Sequence, residues 1–143
     1  VLAAPALGDT YAACAGGGAT LNGAPIRAAS TTDLRQAIVE IGWNRHRPDA
    51  EFFSLLSRAH AGGATLRLGG SGALGLAETA SGRIDAYAEL HIQLWDCAAA
   101  IVICREAGAF VSPFMDGDGP VHGGSILAAA PGIAGVLGKI AGF

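Results

Sequence analysis

Apolar and polar positions along the chain fall into two differently patterned regions. Residues 1–28 read as antiparallel strands. Val1–Ala4 and Thr10–Ala15 flank the turn-rich break Pro5-Ala6-Leu7-Gly8-Asp9. Ala19-Thr20-Leu21 follows Gly16-Gly17-Gly18 and leads into Asn22-Gly23, a hairpin signal. The triple glycine reads as tight turns, because neither a lysine nor a helix start follows it. Ser30-Thr31-Thr32-Asp33 then has helix-start chemistry before a short Leu34–Gln36 turn.

From Ala37 onward strands and helices alternate. Ala37–Ile41 is a buried strand. Asp49–Ala61 places Phe52, Phe53, Leu55, Leu56 and Ala59 at helical spacing, with His60 complementing the helix dipole and Gly62-Gly63 closing it. Ala64–Leu68 is a short strand, and an apolar helix opens in the Gly69–Gly75 stretch and runs through Ala80. Ile84–Leu90 is a strand whose poor alternation suits burial on two faces. Leu94–Ala107 is a buried helix ended by Gly108, and Ala109–Ser112 a strand. Pro113–Gly124 reads as an exposed, mobile loop, Ser125–Ala129 as the last strand and Gly132–Ala141 as the last helix, behind Pro131. This alternation predicts an α/β layer.

Composition narrows the class. The 143 residues are 51% hydrophobic and 15% charged, a globular balance able to bury a substantial core. A net charge of −3 gives no support to general nucleic-acid binding, and no apolar run is long enough to span a membrane. No basic start followed by an apolar block and cleavage site opens the sequence. Of the three cysteines, Cys97 and Cys104 share one helical face, which reads as core packing and fits a cytoplasmic protein. The chain begins without Met, and Val1-Leu2-Ala3-Ala4-Pro5 reads like the tail of a strand already under way. It is therefore expected to be processed or part of something longer.

Candidate chemistry gathers around Ile84–Ala109. Glu89 falls where the strand is expected to end, and Asp96 where the helix begins. Upstream, Gly70-Ser71-Gly72-Ala73-Leu74-Gly75 matches GxGxxG, follows a strand and opens a helix, with Glu89 nineteen residues beyond Gly70. Formally that is a dinucleotide fingerprint with its ribose acid. The match is cheap in a chain with 22 glycines, and it does not open the first βαβ unit. A glycine-packed turn, or a helix start touching a phosphate ester or its sugar, are the other readings. Asp96 reads equally as a dipole-stabilising acid or a Mg²⁺ ligand. The loop Gly42–Pro48 carries Arg45 and Arg47, able to attract a phosphate, and His46, a solvated residue. Asp85 suits an edge or turn-bonding role, and Asp116 and Asp118 read as solvated loop acids.

The stretch LRLGGSGALGLAETASGRIDAYAELHIQLWDCAAAIVICREAGAFVSP resembles the C-terminal signature of the inositol monophosphatase family. That signature joins a Gly-Ser-Ala-like helix start, Gly-Arg-x-Asp-Ala-Tyr, an acid, Trp-Asp-x-Ala-Ala-Gly and Glu-Ala-Gly-Gly. AACAGGGATLNGAPIRAAS resembles the family's Gly-Gly-Gly-Ala-x-x-Asn-Gly hairpin. The resemblance implies Mg²⁺-dependent hydrolysis of a phosphate monoester by an activated water, without a phosphoenzyme. It makes Asp96 a catalytic metal ligand, has Gly70, Ser71 and Gly72 line the substrate, and pairs Glu89 with a sugar or inositol hydroxyl. Asn44 and Trp43 fall near the family's substrate-facing loop.

The implied fold is an αβαβα sandwich. Residues 1–28 would be antiparallel strands of the N-terminal sheet, and 29–143 a C-terminal α/β domain with a mixed sheet flanked by helices. Ala100 and Ala109 replace family glycines. The family's Asp-Pro-x-Asp-Gly-Thr motif and upstream Glu, which supply the other metal ligands, do not occur. The chain thus resembles the C-terminal half of a phosphatase acting on inositol 1-phosphate or a related polyol or sugar phosphate. Its missing half is expected in cis or as a second chain, and a homodimer fits the family. A non-catalytic, partner-binding half-domain is the alternative, with a dinucleotide-binding domain behind it.

Overall fold

A computed structural model describes residues 1–142. The first sheet is an antiparallel meander of β1 (Leu2–Ala4), β2 (Asp9–Ala13), β3 (Ala19–Leu21) and β4 (Ala24–Pro25). Asn22 and Gly23 take positive φ of 51° and 82°, the conformation that a tight hairpin turn demands. The triple glycine is a turn held from outside. The Gly16 and Gly18 amides donate to the Glu106 carboxylate at 2.8 and 2.9 Å, and these bonds hold that carboxyl below its ordinary range.

The second sheet has the order β6-β5-β7-β9-β8. Its strands are β5 (Ile38–Ile41), β6 (Thr65–Arg67), β7 (Ala86–Ile92), β8 (Phe110–Val111) and β9 (Gly124–Ala129). β5 pairs parallel with β6 and β7, while β9 is antiparallel to β7 and β8. The helices are α1 (Asp49–Ala61), α2 (Gly72–Ala80), α3 (Leu94–Glu106), the short α4 (Gly119–His122) and α5 (Pro131–Ala141).

The two-residue repeat of a strand explains why β7 alternates poorly in sequence. Ala86 and Ala88 bury with Leu127 and Ala129 of β9 against α1 and α5. Tyr87, with Ile126 and Ala128, buries on the opposite face against α2 and α3. Both faces are covered, so both sets are apolar. Leu76, Ala77, Ala80, Ala100, Ile101 and Cys104 of α2 and α3 share this core with Tyr11 and Ala19 of the first sheet. The described residues thus stack as sheet, helices, sheet, helices. Arg83 ties the layers at their rim, bonding Asp9 and, at 3.1 Å, the Tyr11 hydroxyl.

Some expected elements shift. β7 runs to Ile92, so Glu89 lies within the strand and not at its end. Pairing with β9 carries it onward, from Glu89↔Ile126 across a register irregularity to Ile92↔Gly124. The stretch expected as an exposed loop after Pro113 contains a 3₁₀ turn at Phe114–Asp116 and then α4. Phe114 is buried in the α3-side core, which anchors the segment. Cys97 and Cys104 are buried and Cys14 is exposed. Asp85 bonds the start of β5 and the segment before it, accepting from the Ile38 amide at 2.7 Å and from the Thr31 hydroxyl. Among the described residues no helix is long and apolar enough to cross a membrane.

Candidate active site

Because β5, β6 and β7 are parallel, their carboxyl ends meet along one edge of the sheet. β6 and β7 flank β5 on either side, with α1 on one face and α2 on the other. Crevices outside such strand ends are the usual ligand sites of open α/β sheets. A cavity of about 360 Å³ lies there. Its walls come from the loop after β5 (Trp43, Asn44, His46), the α2 start (Gly70–Ala73), β7 (Tyr87, Glu89, His91) and the approach to α3 (Gln93, Asp96). Asn44, Gly70, Ser71, Gly72, Glu89 and Asp96, far apart in sequence, all line this one cavity.

Glu89 lines the cavity and is buried. One carboxylate oxygen accepts from the Tyr87 hydroxyl, and the other from Asn44 Nδ2 at 2.8 Å. Burial pushes the Glu89 carboxyl above its ordinary range; the Tyr87 and Asn44 bonds pull it back, and the Asp96 charge pushes it further up. Burial likewise raises the Tyr87 phenol, with Glu89 adding to the shift. Asn44 also donates to the His91 carbonyl, and its Oδ1 accepts from the His46 amide at 2.8 Å. Its side chain therefore fastens the loop and orients Glu89.

The glycines of GxGxxG have specific physical tasks here. Gly70 has φ of 77°, a backbone that side chains rarely adopt. A Cβ at Gly72 would come within 2.9 Å of the Tyr87 hydroxyl and 3.3 Å of Glu89 Oε2. One at Gly75 would strike the Tyr87 ring. The pattern thus makes room for Tyr87 and Glu89 beneath the helix, and a dinucleotide is not needed to explain it. Ser71 caps α2, its hydroxyl accepting from the Leu74 amide at 3.4 Å.

Asp96 sits in the first turn of α3, exposed, and forms no ion pair among the described residues. The first turns of α2 and α3 both line the cavity, so two positive helix ends face it and favour an anionic ligand. Metal chemistry is a separate matter. Among the described residues no three His, Cys, Asp or Glu side chains gather to hold an ion. Mg²⁺ needs near-octahedral oxygen coordination, and Asp96 would supply a single protein ligand. This donor set alone does not build the metal site.

Tyr87, His91 and Gln93 also line the cavity, and no sequence motif by itself places them there. Tyr87 was the most legible of them, standing two residues before Glu89 and hence on the same face of a strand. His91 stacks on His46 with ring centroids 4.5 Å apart, and burial, then the nearby His46 and Arg47, lower its pKa. Arg45 and Arg47 stay outside the cavity. Arg45 lies 5.8 Å over the Trp43 ring, and Arg47 pairs with Glu51 at 2.6 Å.

The raised carboxyl of Glu89 has a testable sign. A carboxyl whose folded pKa exceeds its unfolded value favours folding most at low pH. That contribution falls as pH rises from about 4.5 through the folded value. Glu89→Gln removes this slope. Its stability in urea is expected to improve relative to the parent as pH rises across that window.

Two stacked sheets with helices between them, and acids and helix starts around a cavity at the strand ends, define an α/β sandwich with an anion-favouring cavity. The family model for the inositol monophosphatase family matches residues 1–140, and the chain belongs to that family. It is 35% identical over 139 residues to Nus factor SuhB of Vibrio cholerae, covering 95% of this chain and 52% of that protein. The structure of inositol monophosphatase from Anabaena superposes with a TM-score of 0.84 at 29% identity, covering 95% of this chain and 55% of that one. SaIMPase-II with inositol monophosphate bound superposes with a TM-score of 0.73 at 26% identity, covering 96% of this chain and 52% of that one. The chain spans about half the length of the curated relatives it matches.

Proposed function

We propose that this chain forms the substrate-binding wall of a Mg²⁺-dependent phosphomonoesterase, acting in the cytoplasm on inositol 1-phosphate or a related polyol or sugar phosphate. The observation that carries the proposal is the convergence of Glu89, Asp96 and the Gly70–Gly72 helix start on one cavity. Glu89, oriented by Tyr87 and Asn44, accepts a hydrogen bond from a substrate hydroxyl. The two helix starts attract the phosphate. Asp96 gives one carboxylate to the metal, and the remaining ligands come from outside this chain, in cis or from a second chain. Mg²⁺, when bound, would polarise the phosphoryl group and activate a water. Residues 1–28 then belong to a sheet completed by that other half, with 29–143 as the C-terminal α/β domain. The inositol monophosphate bound to SaIMPase-II supports the substrate class.

Expressed by itself with Mg²⁺, the 143-residue chain is expected to release no phosphate from inositol 1-phosphate above background. The protein purified at its natural length from its own gene is expected to release it, in a Mg²⁺-dependent way. Phosphate release by the isolated chain would contradict the assignment of the missing ligands.

The relatives' name, Nus factor SuhB, favours a second reading, in which the chain works by binding a macromolecular partner. Under that reading Asp96→Asn leaves the biological effect of the protein intact.

A further inference from the structure

Glu40 is a buried charge with no part in the cavity described above. It lies on β5, between β6 and β7, with 1% of its surface exposed. Arg67, the last residue of β6, donates from Nε to Glu40 at 2.7 Å and reaches Glu78 of α2 with Nη2. Glu40 also packs its carboxylate directly against Gly69. Its carboxylate fills the space that side chains at the neighbouring glycines would need. Glu40 Oε2 stands 2.7 Å from a Cβ built at Gly69, and Oε1 2.9 Å from one at Gly75. One side-chain network therefore joins β5, β6 and α2. The segment it spans is Leu68–Ser71, whose far end is the helix start lining the cavity.

Two buried acids around one arginine are a poor device for stability alone, since apolar residues of similar volume often serve as well. Burial pushes the Glu40 carboxyl up while Arg67 pulls it down. The network does one thing an apolar cluster would not. It ties Arg67, where the connecting segment starts, to Glu40 and to Glu78 of the helix that follows by directional, charge-assisted bonds, with the Glu40 carboxylate seated against Gly69.

We propose that Glu40 and Arg67 are positioning residues: by clamping Leu68–Ser71 they set where the Gly70–Gly72 backbone meets a ligand. The identity of that ligand rests on the phosphatase reading, and the clamp itself does not.

The test has two arms. In the first, hydrogen exchange is followed at the Gly69, Gly70 and Gly72 amides in the parent, Arg67→Met, Arg67→Lys and the double variant Glu40→Gln with Glu78→Gln. Exchange at these amides in Arg67→Met is expected to rise about tenfold relative to amides of α3 and β7, with Arg67→Lys intermediate. If Arg67→Met fails to fold, the double variant, which keeps the shapes and removes the charges, reports on the same amides. Unchanged relative exchange overturns the proposal.

In the second arm, KM for inositol 1-phosphate is measured on the natural-length protein. Arg67→Met is expected to raise KM by about 10- to 100-fold, with partial recovery in Arg67→Lys. A loosened segment with unchanged KM overturns the positioning role and leaves only a structural tie. A parent protein without phosphatase activity overturns the phosphatase reading instead, and the clamp then stands or falls on the exchange arm.

Discussion

Asp96→Asn is expected to lower Mg²⁺-dependent phosphate release by about 10²- to 10³-fold, the usual effect of removing one group that stabilises charge in a transition state. Asparagine keeps the size of the side chain and its place in the first turn of α3. It loses the full negative charge that a hard cation requires. The same substitution separates the two roles that sequence spacing left open. An acid that only complements the helix dipole contributes about 0.3–1 kcal/mol of stability, so its loss would barely move a urea midpoint and would leave turnover alone. A metal ligand behaves in the opposite way. Asp96 is exposed, so the variant is expected to fold like the parent while failing at the chemistry. Urea unfolding and phosphate release, measured on the same preparation, check this directly.

Leu76→Ala is expected to destabilise the fold by about 2–5 kcal/mol. Leu76 is fully buried in α2, in the helical layer that contacts both sheets. Tyr11 of β2 and Tyr87 of β7 belong to the same core, so a cavity left there has rigid walls on two sides. Its backbone carbonyl also accepts from the Cys104 thiol at 3.1 Å. The helix that would loosen is the one whose first turn lines the cavity, so ligand affinity is expected to fall with stability. Phe53→Ala is the control. Its ring is 62% exposed, and truncation is expected to change stability by no more than about 0.5 kcal/mol. Urea midpoints for the pair give the contrast.

Much of this was legible in sequence because the signals are local. Helical spacing from Phe52 to Ala59 marks α1, and Asn22-Gly23 marks the hairpin with both residues at positive φ. A helix start at Gly70–Gly72 and another before Asp96 are local facts as well. That they meet Glu89 in one cavity follows from parallel pairing of β5, β6 and β7, which brings three strand ends together.

Contacts between residues far apart in sequence leave no local signal. The Glu40–Arg67–Glu78 network spans three elements, and no spacing rule links those positions. Glu106 reaches back to Gly16 and Gly18, so the triple glycine read only as a turn. Asn44 reads as a residue of the substrate-facing loop and lines the cavity; its bonds to Glu89 and the His91 carbonyl are visible only once β7 lies beside its loop. Gly72 and Gly75 match a nucleotide fingerprint only formally, and the reason for their small size, Tyr87, lies on a strand that follows α2. Pro113–Gly124 read as exposed because it is rich in glycine and acids, while Phe114 alone carries the anchoring.

Phosphate release from inositol 1-phosphate tests the central claim most directly. It is measured on the protein at its natural length, with its mass determined, with and without Mg²⁺, and with Asp96→Asn alongside. Release that requires Mg²⁺ and falls by about two orders of magnitude or more in the variant is the expected result. Absence of release from the parent, or release that Asp96→Asn leaves untouched, would contradict a phosphatase site with Asp96 at its metal.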